Sequence, residues 1–279
     1  MLILDKSNFV DIFQDMLQKY YLQPLDGSVK EKLQDGHLER IIYGAQHASQ
    51  TAIWTHIIHG WLQEFTPSYV KNSLTVIAEY LKLSEEIVRL LTLISAALHN
   101  SGRDEKNARS DWQTRSSNNI TAFLQEIGIS ENTAKIFANT VIYIDSPDKF
   151  KTELKQHGIS EQTIYNFDYL RILIKLGNLL DNIRFDVAFQ CGAISSTLSL
   201  VDGFNKESEM KFFELMKEVA QFTYEQSNMY RPCTWKEPGS KKWIKIPSNF
   251  SKKIKTKIEH ADNVFSLLWQ KTSEYSKFS

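Results

Sequence analysis

Three stretches of this chain set polar side chains into otherwise apolar helical sequence. The first runs Tyr43-Gly44-Ala45-Gln46-His47-Ala48-Ser49-Gln50-Thr51-Ala52-Ile53-Trp54. At 100° per residue, Tyr43, His47, Gln50, Thr51 and Trp54 fall on one stripe of a helix. The second, Leu93 to Arg103, is an apolar helix that ends in His99-Asn100, with Arg103 one turn further on. The third, Leu173 to Arg184, places Asn178 and Asp181 one turn apart among leucines. Two imidazoles, an amide and a carboxylate delivered to one place form a convergent polar cluster, and burial would oblige them to satisfy one another. Such a cluster suits acid–base or nucleophilic work on a phosphoester. A histidine attacks or moves a proton, and Arg103 balances phosphate charge. The same residues also suit a structural role, with a satisfied core histidine and Asn100 capping a helix end.

The elements that position these stretches are helical by period. Apolar residues recur at three- and four-residue steps over 7–22, 38–65 and 68–81, with Pro67 as the break and Ser68 as the cap. Ser84 with Glu85 and Glu86 opens a helix to about Asn100, ended by Gly102. Further helices are expected over 116–127, 131–144, 167–189 and 206–228, with a helical stretch from Ser160 and a turn at Asp145-Ser146-Pro147-Asp148. Residues 230–247, with Pro238-Gly239 as a turn, read as a hairpin or loop. Its Trp235, Lys236, Lys241, Lys242, Trp243 and Lys245 suit either contact with an anionic partner or a solvated face. His56 lies about 180° around from His47, so the two cannot share a site. The pair His56 and His59 lacks the Glu and third ligand of a zinc motif.

Composition bounds the function. The chain has 279 residues, with 33 Lys and Arg against 33 Asp and Glu. That zero balance argues against non-specific nucleic-acid binding. Two cysteines, Cys191 and Cys233, are too few for a disulfide scaffold and fit free thiols in a reducing compartment. No apolar run approaches a membrane span, and no secretory leader is read at the start. The expectation is one all-α domain over 1–279, with a small non-helical insertion near 230–247 and a closing helix over 251–276.

At the three stretches the chain resembles the HD superfamily of helical phosphohydrolases, through His47, His99-Asn100 and Asp181. It more closely resembles the phosphodiesterase domain of the SidE family of secreted bacterial effectors. There the motifs read His-Gly-Ala-x-His-x-Ser-Arg, then Ala-Ala-Leu-x-His-(Asp or Glu)-Ser-Gly-Arg, then Leu-Asp-x-x-Arg. Here they stand as Tyr43-Gly44-Ala45-Gln46-His47-Ala48-Ser49-Gln50, then Ala96-Ala97-Leu98-His99-Asn100-Ser101-Gly102-Arg103, then Leu180-Asp181-Asn182-Ile183-Arg184. The resemblance covers about 38–228.

The resemblance implies an HD-like helical fold acting on ADP-ribosylated or phosphoribosyl-linked ubiquitin, through a transient phospho-histidine and an acid histidine. It implies no cofactor and no metal. It implies modified ubiquitin or another host protein as partner, with a nucleotide or phosphoribosyl ligand. A soluble chain is expected, in the bacterial cytoplasm or, as a secreted effector, in the host cytosol. His47, His99 and Arg103 are the expected catalytic residues. Tyr43, Gln50, Asn100, Asn178, Asp181 and Arg184 would bind substrate or support them. Tyr43 and Gln50 replace the His and Arg of the first motif, and a phenol with pKa near 10 is a poor nucleophile. Asn100 replaces a carboxylate that a divalent ion at an HD site would use. Two further readings therefore stand beside the enzyme: a catalytically silent relative that keeps the binding pocket, and a metal-dependent HD nucleotide hydrolase.

Overall fold

The computed structural model describes residues 4–22, 44–103, 111–182, 187–226, 234–236 and 243–245. Ten α-helices and one hairpin make up the described residues. Helix α1 is Phe9–Leu17, continued by a π-helical turn over Gln18–Leu22. It buries Phe9, Ile12, Phe13, Met16 and Leu17, the stripe expected of an amphipathic helix. Then come α2 (Ala45–Phe65), α3 (Pro67–Leu81), α4 (Glu85–Leu98), α5 (Trp112–Glu126) and α6 (Glu131–Ile142). They are followed by α7 (Pro147–Gln156), α8 (Glu161–Asn182), α9 (Val187–Leu198) and α10 (Lys206–Gln226). Strands β1 (Thr234–Lys236) and β2 (Trp243–Lys245) pair antiparallel, with Trp235 opposite Ile244. The architecture is all-α, with the hairpin inside the stretch read as non-helical.

Helix α4 is central because its sequence allows nothing else. Ser84 caps it by accepting from the Ile87 N–H at 3.2 Å, and Glu85 and Glu86 favour its positive end. From Leu90 to Leu98 every residue is buried. Helices α2 and α8 pack on it, and α8 also packs on α3, α6, α7 and α9. Helices α2 and α8 come close at Gly177. A Cβ there would stand 2.8 Å from the Thr51 carbonyl oxygen and closer still to Thr55 Oγ1. Gly177 thus lets two backbones meet where any side chain would wedge them apart.

Several boundaries differ from those the sequence suggests. Helix α3 begins at Pro67, which suits the first helical position because its missing N–H has no partner to lose. Of the turn read at 145–148, Asp145 lies in a turn, Ser146 is the N-cap of α7, and Pro147 and Asp148 open that helix, with only Phe150 and Leu154 buried. Helix α5 starts at Trp112, ahead of the expected Ser116. Helix α8 runs unbroken from Glu161, because Asp168 is neutralised within it by Arg171 Nε at 2.6 Å. Arg171, fully buried, also donates to the Ile144 carbonyl at 2.8 Å. The helix expected to reach 189 ends as α8 at Asn182, and α9 follows from Val187. The expected starts at 38–43 and the closing helix over 251–276 lie outside the described residues. No helix among the described residues is long and apolar enough to cross a membrane.

The close α2–α8 approach makes a measurable demand. Gly177→Ala should cost about 1–3 kcal/mol, because the added methyl has no room. Gly60→Ala, in the same helix pair but with nothing within 4 Å of the new Cβ, should stabilise by about 0.5–1 kcal/mol. Urea unfolding of the two variants checks this. Equal stability of Gly177→Ala and the wild type would show that the helices are not held this close.

Candidate active site

Three helix ends meet at one end of the bundle: the start of α2, the end of α4 and the end of α8. His47 is the third residue of α2, His99 is the C-cap of α4, and Asp181 is the penultimate residue of α8. The sequence-predicted His47, His99, Asn100 and Asp181 come together here, each no more than 1% exposed.

The hydrogen bonds form one chain with a defined direction. His47 Nδ1–H donates to Asp181 Oδ2 at 2.5 Å. Trp54 Nε1–H donates to Asp181 Oδ1 at 3.3 Å, so the buried carboxylate has donors on both oxygens. His99 Nδ1–H donates to the Ala96 carbonyl at 2.6 Å. With both Nδ1 atoms committed as donors, Nε2 of each ring is left to face Asn100. Asn100 Nδ2 supplies both hydrogens, donating to His47 Nε2 at 2.9 Å and to His99 Nε2 at 2.8 Å. One carboxamide therefore clasps two imidazoles whose centroids are 5.3 Å apart.

Burial pushes His99 down to about 3, with the neighbouring His47 adding to the effect. The Ala96 carbonyl, a side-chain hydrogen bond with Asn178 and the Asp181 charge oppose it. His99 is thus a neutral base at physiological pH. Around the pair lie polar atoms that are buried and unpartnered among the described residues: Gln50 Oε1, Thr51 Oγ1, Ser95 Oγ, Asn100 Oδ1 and Asn182 Oδ1. Gln50 and Thr51 follow His47 by one turn and Ser95 precedes His99 by one. Native interiors leave few polar atoms so, and a cluster of them marks room for a ligand or water.

The turn that carries His99 and Asn100 is held from outside. Gly102 N–H donates to Ser116 Oγ at 2.9 Å, and Asn119 Nδ2 donates to Ser101 Oγ at 3.1 Å. A Cβ on Gly102 would lie 2.5 Å from Arg115 Cβ and from the Ser116 nitrogen, so α5 presses directly on the turn. Tyr21 donates to the Ala97 carbonyl at 2.6 Å, occupying another of the open carbonyls at the end of α4.

The remaining expected residues are placed as follows. Asn178 is half-buried beside His99 and accepts from Asn182 Nδ2 at 3.1 Å. Arg103 lies with its guanidinium 5.4 Å from the centroid of the Trp112 ring. Tyr43 and Arg184 lie outside the described residues. The sequence reading missed Trp54 as the second donor to Asp181, although Trp54 already stood on the His47 stripe. A divalent cation does not fit the arrangement, because Asn100 turns N–H donors, not a lone pair, toward both Nε2 atoms.

Residues 13–231 match the SidE phosphodiesterase (PDE) domain, a span that holds every residue of the cluster and stops short of the hairpin. No curated protein and no solved structure matches the chain.

The direction of the hydrogen-bond chain sets two expectations. His99 binds its proton more weakly folded than unfolded, so the unfolded state takes up the extra proton between pH 6.5 and about 3. Stability should be full above pH 6.5 and fall as pH drops toward 3, by up to about 1.4 kcal/mol per pH unit for each such histidine. Unfolding free energies at pH 7, 6 and 5 test the slope, and a flat profile would contradict it. Asn100→Asp removes both donors and adds a charge, so one imidazole of the pair should hold a second proton at pH 7. Imidazole ¹⁵N spectra of wild type and variant distinguish the two states, and identical spectra would overturn the clasp.

Proposed function

Because the chain belongs to the SidE phosphodiesterase domain family, we propose that it is a phosphodiesterase acting on ADP-ribosylated or phosphoribosyl-linked ubiquitin, with His47 and His99 as its working groups. The observation that carries this reading is the delivery of a carboxylate-oriented imidazole and a neutral imidazole to one buried point by three helices. Asp181 fixes His47 with Nε2 outward from the carboxylate, the geometry of an activated nucleophile or base. His99, kept neutral, takes a proton at Nε2 from the attacking water or hydroxyl and gives it to the leaving oxygen. Substrate entry displaces the Asn100 amide, and the released N–H groups then face a phosphoryl oxygen. Arg103 supplies positive charge from the loop after α4, with Trp112 supporting its guanidinium. Gln50, Asn178 and Arg184 are the further residues assigned to substrate. Modified ubiquitin or another host protein is the partner this reading requires.

A second reading is favoured by one observation. Asn100 caps both Nε2 lone pairs at once, and a histidine whose lone pair is taken neither attacks nor accepts a proton. With Tyr43 and Gln50 in place of the first-motif His and Arg, the same pocket would bind a nucleotide or phosphoribosyl group without turnover.

Incubation with ADP-ribosylated ubiquitin and with a phosphoribosyl-serine conjugate separates the two. An enzyme should release AMP or free ubiquitin, and His47→Ala or His99→Ala should each lower the rate by about 10²–10⁴. A silent relative should bind without release, and Tyr43→His with Gln50→Arg should restore turnover. Release that survives both histidine replacements would remove this site from the chemistry.

A further inference from the structure

A second set of polar residues lies along the same helices, away from the histidine pair. On α2, His47, Thr51, Thr55 and His59 stand at successive four-residue steps, a row that winds slowly around the helix. On α8, Asp181, Gly177, Leu173 and Tyr169 follow the same spacing in the opposite direction. His59 therefore sits twelve residues from His47, about 18 Å along the helix axis. At this far end is a cavity of about 10 Å³, partly open to solvent and lined by His56, His59, Arg89 and Thr92 with Leu74 and Leu173 among its walls. That volume admits one water-sized group.

The charge of the pocket is one-sided. Arg89, on α4, has no carboxylate and no hydrogen-bond acceptor paired with it among the described residues. Glu85, one turn earlier on the same helix, is engaged by Thr75 Oγ1 at 2.7 Å. Beside burial, the charge of Arg89 acts on both His56 and His59. Burial and this positive field push both imidazoles down to about 3, so they are neutral at physiological pH. The hydrogen-bond pattern then makes His59 a donor. Tyr169 is fully buried, burial raises its phenol well above the usual range, and its hydroxyl lies 2.5 Å from His59 Nδ1. No other acceptor for that hydroxyl is found among the described residues, so the phenol donates to Nδ1. Nε2 of His59 consequently carries the hydrogen, on the side of the ring away from the phenol.

We propose that this pocket is a binding site for a small anion, held by the Arg89 guanidinium and the His59 Nε2–H. An arginine and a histidine that line the same water-sized space, with no acceptor paired with Arg89 among the described residues, can offer a charge-assisted donor pair to an anion there. A halide ion and one oxygen of a phosphoryl group meet the same requirement of charge and radius. The site does not depend on the phosphodiesterase reading, since neither His47 nor His99 lines it.

The test uses the full chain at pH 7 and constant ionic strength, with gluconate as the balancing anion. Sodium chloride, inorganic phosphate and phosphoserine are titrated separately while the imidazole resonances of His56 and His59 are followed. Saturable movement of the His59 signals with at least one of them is expected. Response to chloride alone identifies a halide site; response to phosphate and phosphoserine identifies a phosphoryl site. Arg89→Gln should weaken the binding by about tenfold or more, whereas Arg89→Lys, which keeps the charge, should retain part of it. Arg89 is only partly buried, so both variants are compatible with the fold. Shifts that stay linear for all three anions, or that persist unchanged in Arg89→Gln, would overturn the proposal.

Discussion

Asp181 is a carboxylate with no exposed surface, and the rest of the site follows from what it needs. A buried charge is tolerable only when its oxygens are met by donors, and removing one partner typically costs about 3–5 kcal/mol. Helix α2 supplies both donors from one stripe, His47 Nδ1–H and Trp54 Nε1–H, seven residues and two turns apart. Satisfying Asp181 fixes the His47 tautomer. That leaves a lone pair on Nε2, which a buried site must also satisfy, and Asn100 is the residue within reach. His99, its own Nδ1–H taken by the Ala96 carbonyl, presents the same need to the same amide. Each assignment forces the next, so the polarity of the whole cluster is set by one carboxylate.

Such a chain tolerates little displacement, which explains the packing around it. Gly177 brings α8 against α2 so that Asp181 and His47 meet, and Gly102 brings α5 onto the turn that carries Asn100. Ser116 and Asn119 then hold that turn by hydrogen bonds. Both glycines sit where a methyl group would collide with backbone. The backbone approach, and not the conformational freedom of glycine, is what these positions require.

Much of this was legible from residue type and period. Polar residues inside apolar helices pointed to His47, His99, Asn100 and Asp181, because burial gives such residues few alternatives to one another. Ser84 and Ser130 marked helix starts by their capping chemistry, and both side chains accept from the third residue on. Legibility failed where a local signal had two meanings. Asp145-Ser146-Pro147-Asp148 has the composition of a turn and equally that of a helix start, and the weak Phe150 and Leu154 stripe did not decide between them. By spacing, the helical stretch from Ser160 and the helix over 167–189 read as separate, although Glu161–Asn182 is one helix, in which Arg171 Nε pairs with Asp168. The His59–Tyr169 contact joins residues 110 apart, a pairing that a single sequence does not encode locally.

The residue that most affects the chemistry is the least conspicuous. A carboxylate at position 100 accepts hydrogen bonds and donates none, so beside two Nε2 atoms it would require at least one imidazolium. The amide found there reverses this. It reaches both Nε2 atoms through one Nδ2, and its own oxygen is unpartnered among the described residues. A neutral pair is a weaker phosphate attractor and a better base than a charged one. The unpartnered oxygens of Gln50, Asn100 and Asn182 favour a ligand that brings hydroxyl or N–H donors into the cluster. The amide between the imidazoles and the open oxygens around it thus act together. A substrate gains by satisfying these oxygens as it displaces the amide from the two imidazoles, and the negative charge of its phosphate must be met from outside the clasp, where Arg103 rests over Trp112.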